Sequence, residues 1–306
     1  MGKIAFIFPG QGAQYVGMAK DFYDAIPLCK EVFEKASSAS ALDVEKLCFE
    51  ENDQINITEY TQIAMVAAEV AMLRALEAKG VKPDVTAGLS LGEYGALVAS
   101  GVMSEEDVFK VVRKRGIYMQ EAVPTGGAMV AVLGLDTKVI EEVCDSVDGQ
   151  VTIANYNCPG QIVITGEEKA VATAAEKLAE AGAKRCVSLK VSGPFHSPLL
   201  AGAGEKLGKE LEDVAINDIA IPYIANVTAD YVASKDDVKA LLEKQVSASV
   251  RWQQTVERMI ADGVTTFIEI GPGKTLSGFM RKINRDVQVL NVEKVEDLDK
   301  VVEALQ

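Results

Sequence analysis

Short apolar runs alternate with longer amphipathic stretches along most of this chain, a pattern that predicts strands interleaved with helices. Ile4–Phe8 reads as a strand that runs into the glycine-rich loop 9–15, and helical segments follow to about Gly80, including the Ala-rich stretch Thr61–Lys79. Residues 81–87 then read as a short strand and 93–101 as a helix ended by glycine. Ser104-Glu-Glu-Asp107 is an N-cap signature that opens a further helix to about Val123, and Pro124-Thr-Gly-Gly127 ends it as a hinge.

Beyond the hinge the pattern changes. Residues 128–133 read as strand, 137–147 as helix, 151–156 and 161–165 as a strand pair around Asn157-Cys-Pro-Gly160, 167–181 as helix and 185–191 as a last strand. This β-α-β-β-α-β order is the ferredoxin-like arrangement. The chain returns with helix 199–211, strand 219–226, helices near 236–245 and 252–263, and strands 265–270 and 287–292. The expected class is therefore α/β, with a parent domain split into 1–124 plus 193–306 and a small insert over 125–192. A ligand site is expected in the crevice between them.

Composition narrows the partners. A net charge of −14 argues against nucleic acid and against an anionic membrane surface. The apolar run at the N-terminus is too short for a signal peptide, and no stretch approaches membrane-spanning length, so a cytoplasmic protein is expected. Cys29, Cys48, Cys144, Cys158 and Cys186 are scattered without a C-x-x-C, which fits a reducing compartment. His, Cys and carboxylates do not cluster at ligand spacing, so no metal site is expected.

Candidate chemistry centres on Ser90 and His196. Gly88-Leu-Ser-Leu-Gly92 between a predicted strand and helix describes a nucleophile elbow, whose flanking glycines relieve crowding around a strained serine. A serine hydroxyl needs a base, and His196, in Gly193-Pro-Phe-His-Ser197, is the sole histidine of the chain. No acidic residue stands out as a third member, and a backbone carbonyl would orient the imidazole equally well, so a Ser–His dyad is expected.

Two apparent nucleotide motifs fail: the third glycine of G-x-G-x-x-G would fall on Tyr15, and the first glycine of a phosphate loop on Ile268. The Gly10-Gln-Gly12 loop is either a plain turn or the source, through the Gln11 backbone, of a second oxyanion donor. Arg115 falls within the apolar stripe of Val108, Val111, Val112, Met119 and Ala122. An inward guanidinium is costly unless paired, which leaves a buried ion pair, a snorkelling side chain or a bound carboxylate as its uses.

These residues assemble into a set that resembles the malonyl-CoA:acyl carrier protein transacylase family from end to end. The motifs that carry it are Phe8-Pro-Gly-Gln-Gly-Ala-Gln14, Gly88-Leu-Ser-Leu-Gly-Glu93, Arg115 with Met119-Gln-Glu-Ala122, Gly193-Pro-Phe-His-Ser197, Gln245 before Val250-Arg-Trp252, and Glu269-Ile-Gly-Pro-Gly273. The resemblance implies a hydrolase-like α/β domain with a ferredoxin-like insert. It implies Ser90 as nucleophile, His196 as base, backbone N–H groups of Gln11 and Leu91 as the oxyanion hole, and Arg115 as the holder of the malonyl carboxylate. Met119 lies in the matching motif beside that pocket. The backbone carbonyl of Gln245 would orient the histidine, and the bulk of Phe195 would disfavour an α-methyl group. Leu89 departs from the histidine that many relatives carry there, which removes a polar neighbour but no member of the dyad.

The implied activity is ping-pong transfer of malonyl from malonyl-CoA to the phosphopantetheine thiol of acyl carrier protein, without a cofactor, for fatty acid synthesis. A polyketide carrier is the alternative pathway, and a serine esterase or thioesterase with water as acceptor is the rival chemistry. Because both enzyme and carrier are acidic, a local basic patch is expected among Lys184, Arg185, Lys190, Lys274, Arg281, Lys282 and Arg285.

Overall fold

The computed structural model describes residues 2–306. A four-stranded parallel sheet organises it: β1 (Lys3–Phe8) lies between β2 (Val85–Gly88) and the strand Val264–Ile270, with Gln288–Val292 beyond the latter. Alternation along β1 sends Phe6 and Phe8 to one buried face and Ala5 and Ile7 to the other. On the first face the helix Thr58–Ala78, apolar nearly all round, packs against the helix Glu105–Ala122. Trp252, Val256, Met259, Leu276 and Met280 cover the second face. Burial of each such large side chain contributes roughly 1.5–3 kcal/mol.

Register places the chemistry. Phe8 pairs with Gly88, so the loops leaving β1 and β2 run side by side at the carboxyl ends of the strands. Leu89 donates its N–H to Phe8 at 3.0 Å, and a Cβ on Gly10 would lie 2.7 Å from the Leu89 carbonyl. Ligands of open α/β sheets bind at this end.

The second sheet is antiparallel. Its strands β3 (Gly127–Leu133), β4 (Val151–Cys158), β5 (Gln161–Glu167) and β6 (Arg185–Ser188) lie in the order β4-β5-β3-β6. Val130, Val132, Ile153, Ile162 and Ile164 face the helices Thr137–Asp145 and Glu168–Glu180. Met129, Ala131, Ala154 and Val163 face the main core instead. Tyr156 and Val250 exchange the tie further, since Tyr156 donates to the Val250 carbonyl at 2.9 Å and Val250 to Ala154 at 2.8 Å.

Two predicted strands are shorter than the sequence suggests. The strand expected over 219–226 is regular only at β7 (Ile224–Ala225), which pairs with β8 (Asp230–Tyr231). Pro222 has no N–H to donate; it only accepts from Thr86 at 2.9 Å, and Tyr223 forms an isolated bridge to Thr86. The strand expected to reach Val191 stops at Ser188, leaving Leu189 and Val191 partly exposed beside the site. With β9 (Val264–Ile270) and β10 (Gln288–Val292) the strands are complete, and two helices the sequence reading passed over, Thr275–Ile283 and Val295–Ala304, follow them. Among the described residues no helix is long and apolar enough to cross a membrane, and no three His, Cys, Asp or Glu side chains gather as metal ligands.

Candidate active site

Ser90 sits between β2 and the helix Glu93–Ala99 with φ +53°, a left-handed conformation that costs a non-glycine residue about 1–3 kcal/mol. The turn is possible because its flanks are bare. A Cβ on Gly88 would lie 2.0 Å from the Gly92 backbone, and one on Gly92 would lie 2.2 Å from the Phe8 carbonyl. Asn226 braces it: its Oδ1 accepts the Ser90 N–H at 2.6 Å and its Nδ2 donates to the Gly88 carbonyl at 2.6 Å. The Ser90 N–H is therefore spent, and the next free turn of backbone donors begins at Leu91, which is fully buried.

His196 also has a positive φ, +58°, and brings Nε2 to 2.7 Å from Ser90 Oγ. Its Nδ1 lies 2.9 Å from the Gln245 carbonyl and 3.2 Å from the Ala248 carbonyl. Both are acceptors only, so Nδ1 carries the hydrogen, Nε2 is the bare nitrogen and Ser90 donates its hydroxyl to it. Burial, aided by the charge of Arg115, pushes the His196 pKa down to about 4, so the imidazole is neutral at physiological pH.

Arg115 is buried, with 1% of its surface exposed. Nη1 donates to Gln62 Oε1 at 2.9 Å; Nη2 donates to Gln245 Oε1 at 3.0 Å and to Ser90 Oγ at 3.3 Å. It does not snorkel, and among the described residues no carboxylate forms an ion pair with it. The neighbouring carboxylate, Glu93, is held off by one amide, since Gln245 Nε2 donates to Glu93 Oε2 at 2.6 Å. Burial pushes the Glu93 pKa up to about 7. The guanidinium thus faces the nucleophile with amides, a hydroxyl and the Tyr94 ring around it, and with charge to spare for an incoming anion.

Ser90, His196, Arg115, Met119, Phe195 and Gln11 all line one cavity of about 120 Å³. Its walls are completed by apolar side chains from the small sheet and the segment after it, Met129, Leu189 and Val191. Gln11 reaches Thr58 Oγ1 with its side chain at 3.1 Å. Gln245 lies beneath the cavity, fully buried. Sequence reasoning missed Gln62, Asn226 and Ala248, and it quoted Glu93 in a motif without giving it a role. Gln62 alone left a trace, as a polar side chain inside an apolar helix.

Residues 5–298 match the acyl transferase domain family. The malonyl CoA-acyl carrier protein transacylase of Bacillus subtilis is 45% identical over 100% of this chain and 98% of its own length. Among solved structures, the malonyl CoA-acyl carrier protein transacylase of Clostridium perfringens superposes with a TM-score of 0.96 at 46% identity, covering 99% of this chain and 97% of that one. A malonyl-transacylase in complex with its holo type II PKS acyl-carrier protein superposes equally well, TM-score 0.96 at 37% identity, over 99% of each chain.

Proposed function

We propose, because this chain belongs to the malonyl CoA-acyl carrier protein transacylase family, that it moves malonyl from malonyl-CoA to the phosphopantetheine thiol of an acyl carrier protein. The product serves fatty acid synthesis in the cytoplasm. Neutral His196 takes the Ser90 proton through Nε2 as Oγ attacks the thioester carbonyl. The tetrahedral oxyanion is met by backbone N–H groups of Leu91 and Gln11. The C–S bond breaks, the departing CoA sulfur takes the proton from His196, and a malonyl ester remains on Ser90. The carrier thiol then repeats the sequence in reverse roles, with His196 as base again. Both steps draw on side chains and backbone alone, so the reaction asks for no cofactor beyond its two substrates.

The observation that carries this reading is the buried guanidinium of Arg115, 3.3 Å from Ser90 Oγ and without a carboxylate partner among the described residues. A charge-assisted bidentate pair with a carboxylate contributes about 1.5–3 kcal/mol, roughly tenfold to a hundredfold in preference for malonyl over acetyl. Met119 and Phe195 wall the acyl pocket, and Phe195 limits room beside the malonyl α-carbon. The strand order β4-β5-β3-β6 with two helices on one face supports the reading of residues 125–192 as a ferredoxin-like insert. The halves 1–124 and 193–306 then form the hydrolase-like catalytic domain.

Intact mass spectrometry after brief incubation with malonyl-CoA tests the proposal. The expected result is a malonyl adduct on Ser90 that moves to added holo acyl carrier protein. An adduct that decays to free acid regardless of carrier identifies a thioesterase, and the absence of any adduct overturns the catalytic reading.

A further inference from the structure

We propose that Arg115 also holds the nucleophile in reserve, and that a carboxylate arriving on the guanidinium releases it, so that the group that marks the substrate also arms Ser90. The inference rests on the reading of Ser90 and His196 as nucleophile and base, and it assigns Arg115 a part in the rate of attack in addition to binding.

The hydrogen count carries it. A guanidinium offers two edges with parallel N–H pairs, Nε with Nη2 and Nη1 with Nη2, so either bidentate pose of a carboxylate uses Nη2. In this structure both hydrogens of Nη2 are committed, one to Gln245 Oε1 at 3.0 Å and one to Ser90 Oγ at 3.3 Å. One of these bonds must give way. The Gln245 amide is pinned from behind by its Nε2, which donates to the Ser90 carbonyl at 2.9 Å and to Glu93 Oε2 at 2.6 Å. The longer bond to Ser90 Oγ is the weaker one and is the one displaced.

Release acts on the attack in two ways. A cationic donor on Oγ occupies an electron pair of the atom that must attack the thioester, and its removal returns that pair. The imidazolium that forms on His196 as Ser90 loses its proton also lies against the Arg115 charge. A carboxylate on Arg115 cancels that opposition at the moment the positive charge develops. An acyl group without a carboxylate gains neither effect and reacts slowly even when bound.

The test supplies the two halves of malonyl separately. Single-turnover acetylation of Ser90 is followed by mass spectrometry at saturating acetyl-CoA, with sodium formate against sodium chloride at equal concentration. Formate is expected to accelerate acetylation of the wild-type enzyme by about threefold to tenfold, the worth of roughly one net hydrogen bond. Arg115→Ala is expected to acetylate at a rate that formate does not change. Inhibition by formate, or no acceleration of the wild type, overturns the arming role. Malonylation of Ser90 by malonyl-CoA in the same preparation stands or falls separately, so failure of this inference is distinct from failure of the dyad.

Discussion

The side-chain amide of Gln245 donates to Glu93 Oε2 at 2.6 Å beneath the candidate site. That bond fixes which way the amide faces. With its nitrogen turned to the carboxylate and to the Ser90 carbonyl, its oxygen is left for Arg115, while its backbone carbonyl takes His196 Nδ1. One residue therefore holds the imidazole with its main chain and the guanidinium with its side chain.

These two services separate by mutation. Gln245→Ala keeps the carbonyl that orients His196 and removes the anchor of Arg115. We expect kcat/KM for malonyl-CoA to fall by about tenfold or more, the worth of a hydrogen bond to a charged group, with acetyl-CoA little affected. Steady-state kinetics with both donors check this, and an equal loss for both would mean that the base had moved too.

With His196 as the proposed base, its depressed proton affinity is expected to set the acid limb of the reaction. The free enzyme needs a neutral imidazole, so kcat/KM for malonyl-CoA should hold from neutrality to about pH 5 and fall near pH 4, below the ordinary value of 6.5. The sign for stability is the same: the neutral buried ring contributes stability that is present above 6.5 and lost as pH falls through about 4. Glu93, pushed up to about 7, titrates inside this plateau, and Glu93→Gln should remove any inflection there while leaving the acid limb in place. A limb centred at 6.5 in a pH–rate series would contradict the buried, neutral base.

How legible this site was depends on the kind of group involved. The approach of Ser90 and His196 to 2.7 Å could be anticipated because a strand–G-x-S-x-G–helix segment and a lone histidine are both written in residue types. Helical spacing put Arg115 on an apolar stripe but left snorkelling open, and the structure buries it. Gln245 entered only through family resemblance, since a backbone carbonyl leaves no mark in a sequence. Asn226 and Gln62 could not be found that way: their partners lie far along the chain and a single amide has no periodicity. The α/β class was legible from the alternation of elements. The strand expected over 219–226 is shortened to β7 because Pro222 interrupts the ladder, and Ile219, Tyr223 and Ile224 pack mainly from irregular backbone around it.

The elbow glycines carry a steric prediction with an internal control. Gly88→Ala drives a Cβ to 2.0 Å from the Gly92 backbone, which no rotamer relieves. We expect destabilisation of about 3 kcal/mol or more, beyond ordinary overpacking, together with loss of Ser90 acylation. Gly278→Ala, within the helix Thr275–Ile283 and with nothing inside 4 Å of the new methyl, should instead gain up to about 1 kcal/mol. Thermal unfolding of the pair checks both signs.

Transfer to the carrier requires two acidic proteins to meet. The enzyme carries a net charge of −14, and carriers of this kind are acidic, so long-range repulsion must be overcome locally. Arg281 and Lys282 are exposed in the final turn of the helix Thr275–Ile283, and neither forms an ion pair among the described residues. A Cβ on Gly271, in the loop between β9 and that helix, would lie 2.6 Å from Pro9, so the helix starts near the carboxyl end of β1. Lys282 also reaches the small sheet, donating to Gln161 Oε1 at 3.1 Å, so the patch joins the two sheets. Reversing both charges, Arg281→Glu with Lys282→Glu, should raise the carrier KM by about tenfold, more steeply at low salt, and leave transfer to a small thiol such as free pantetheine unchanged. An equal loss with both acceptors would place the defect in the site itself and move carrier docking to another face.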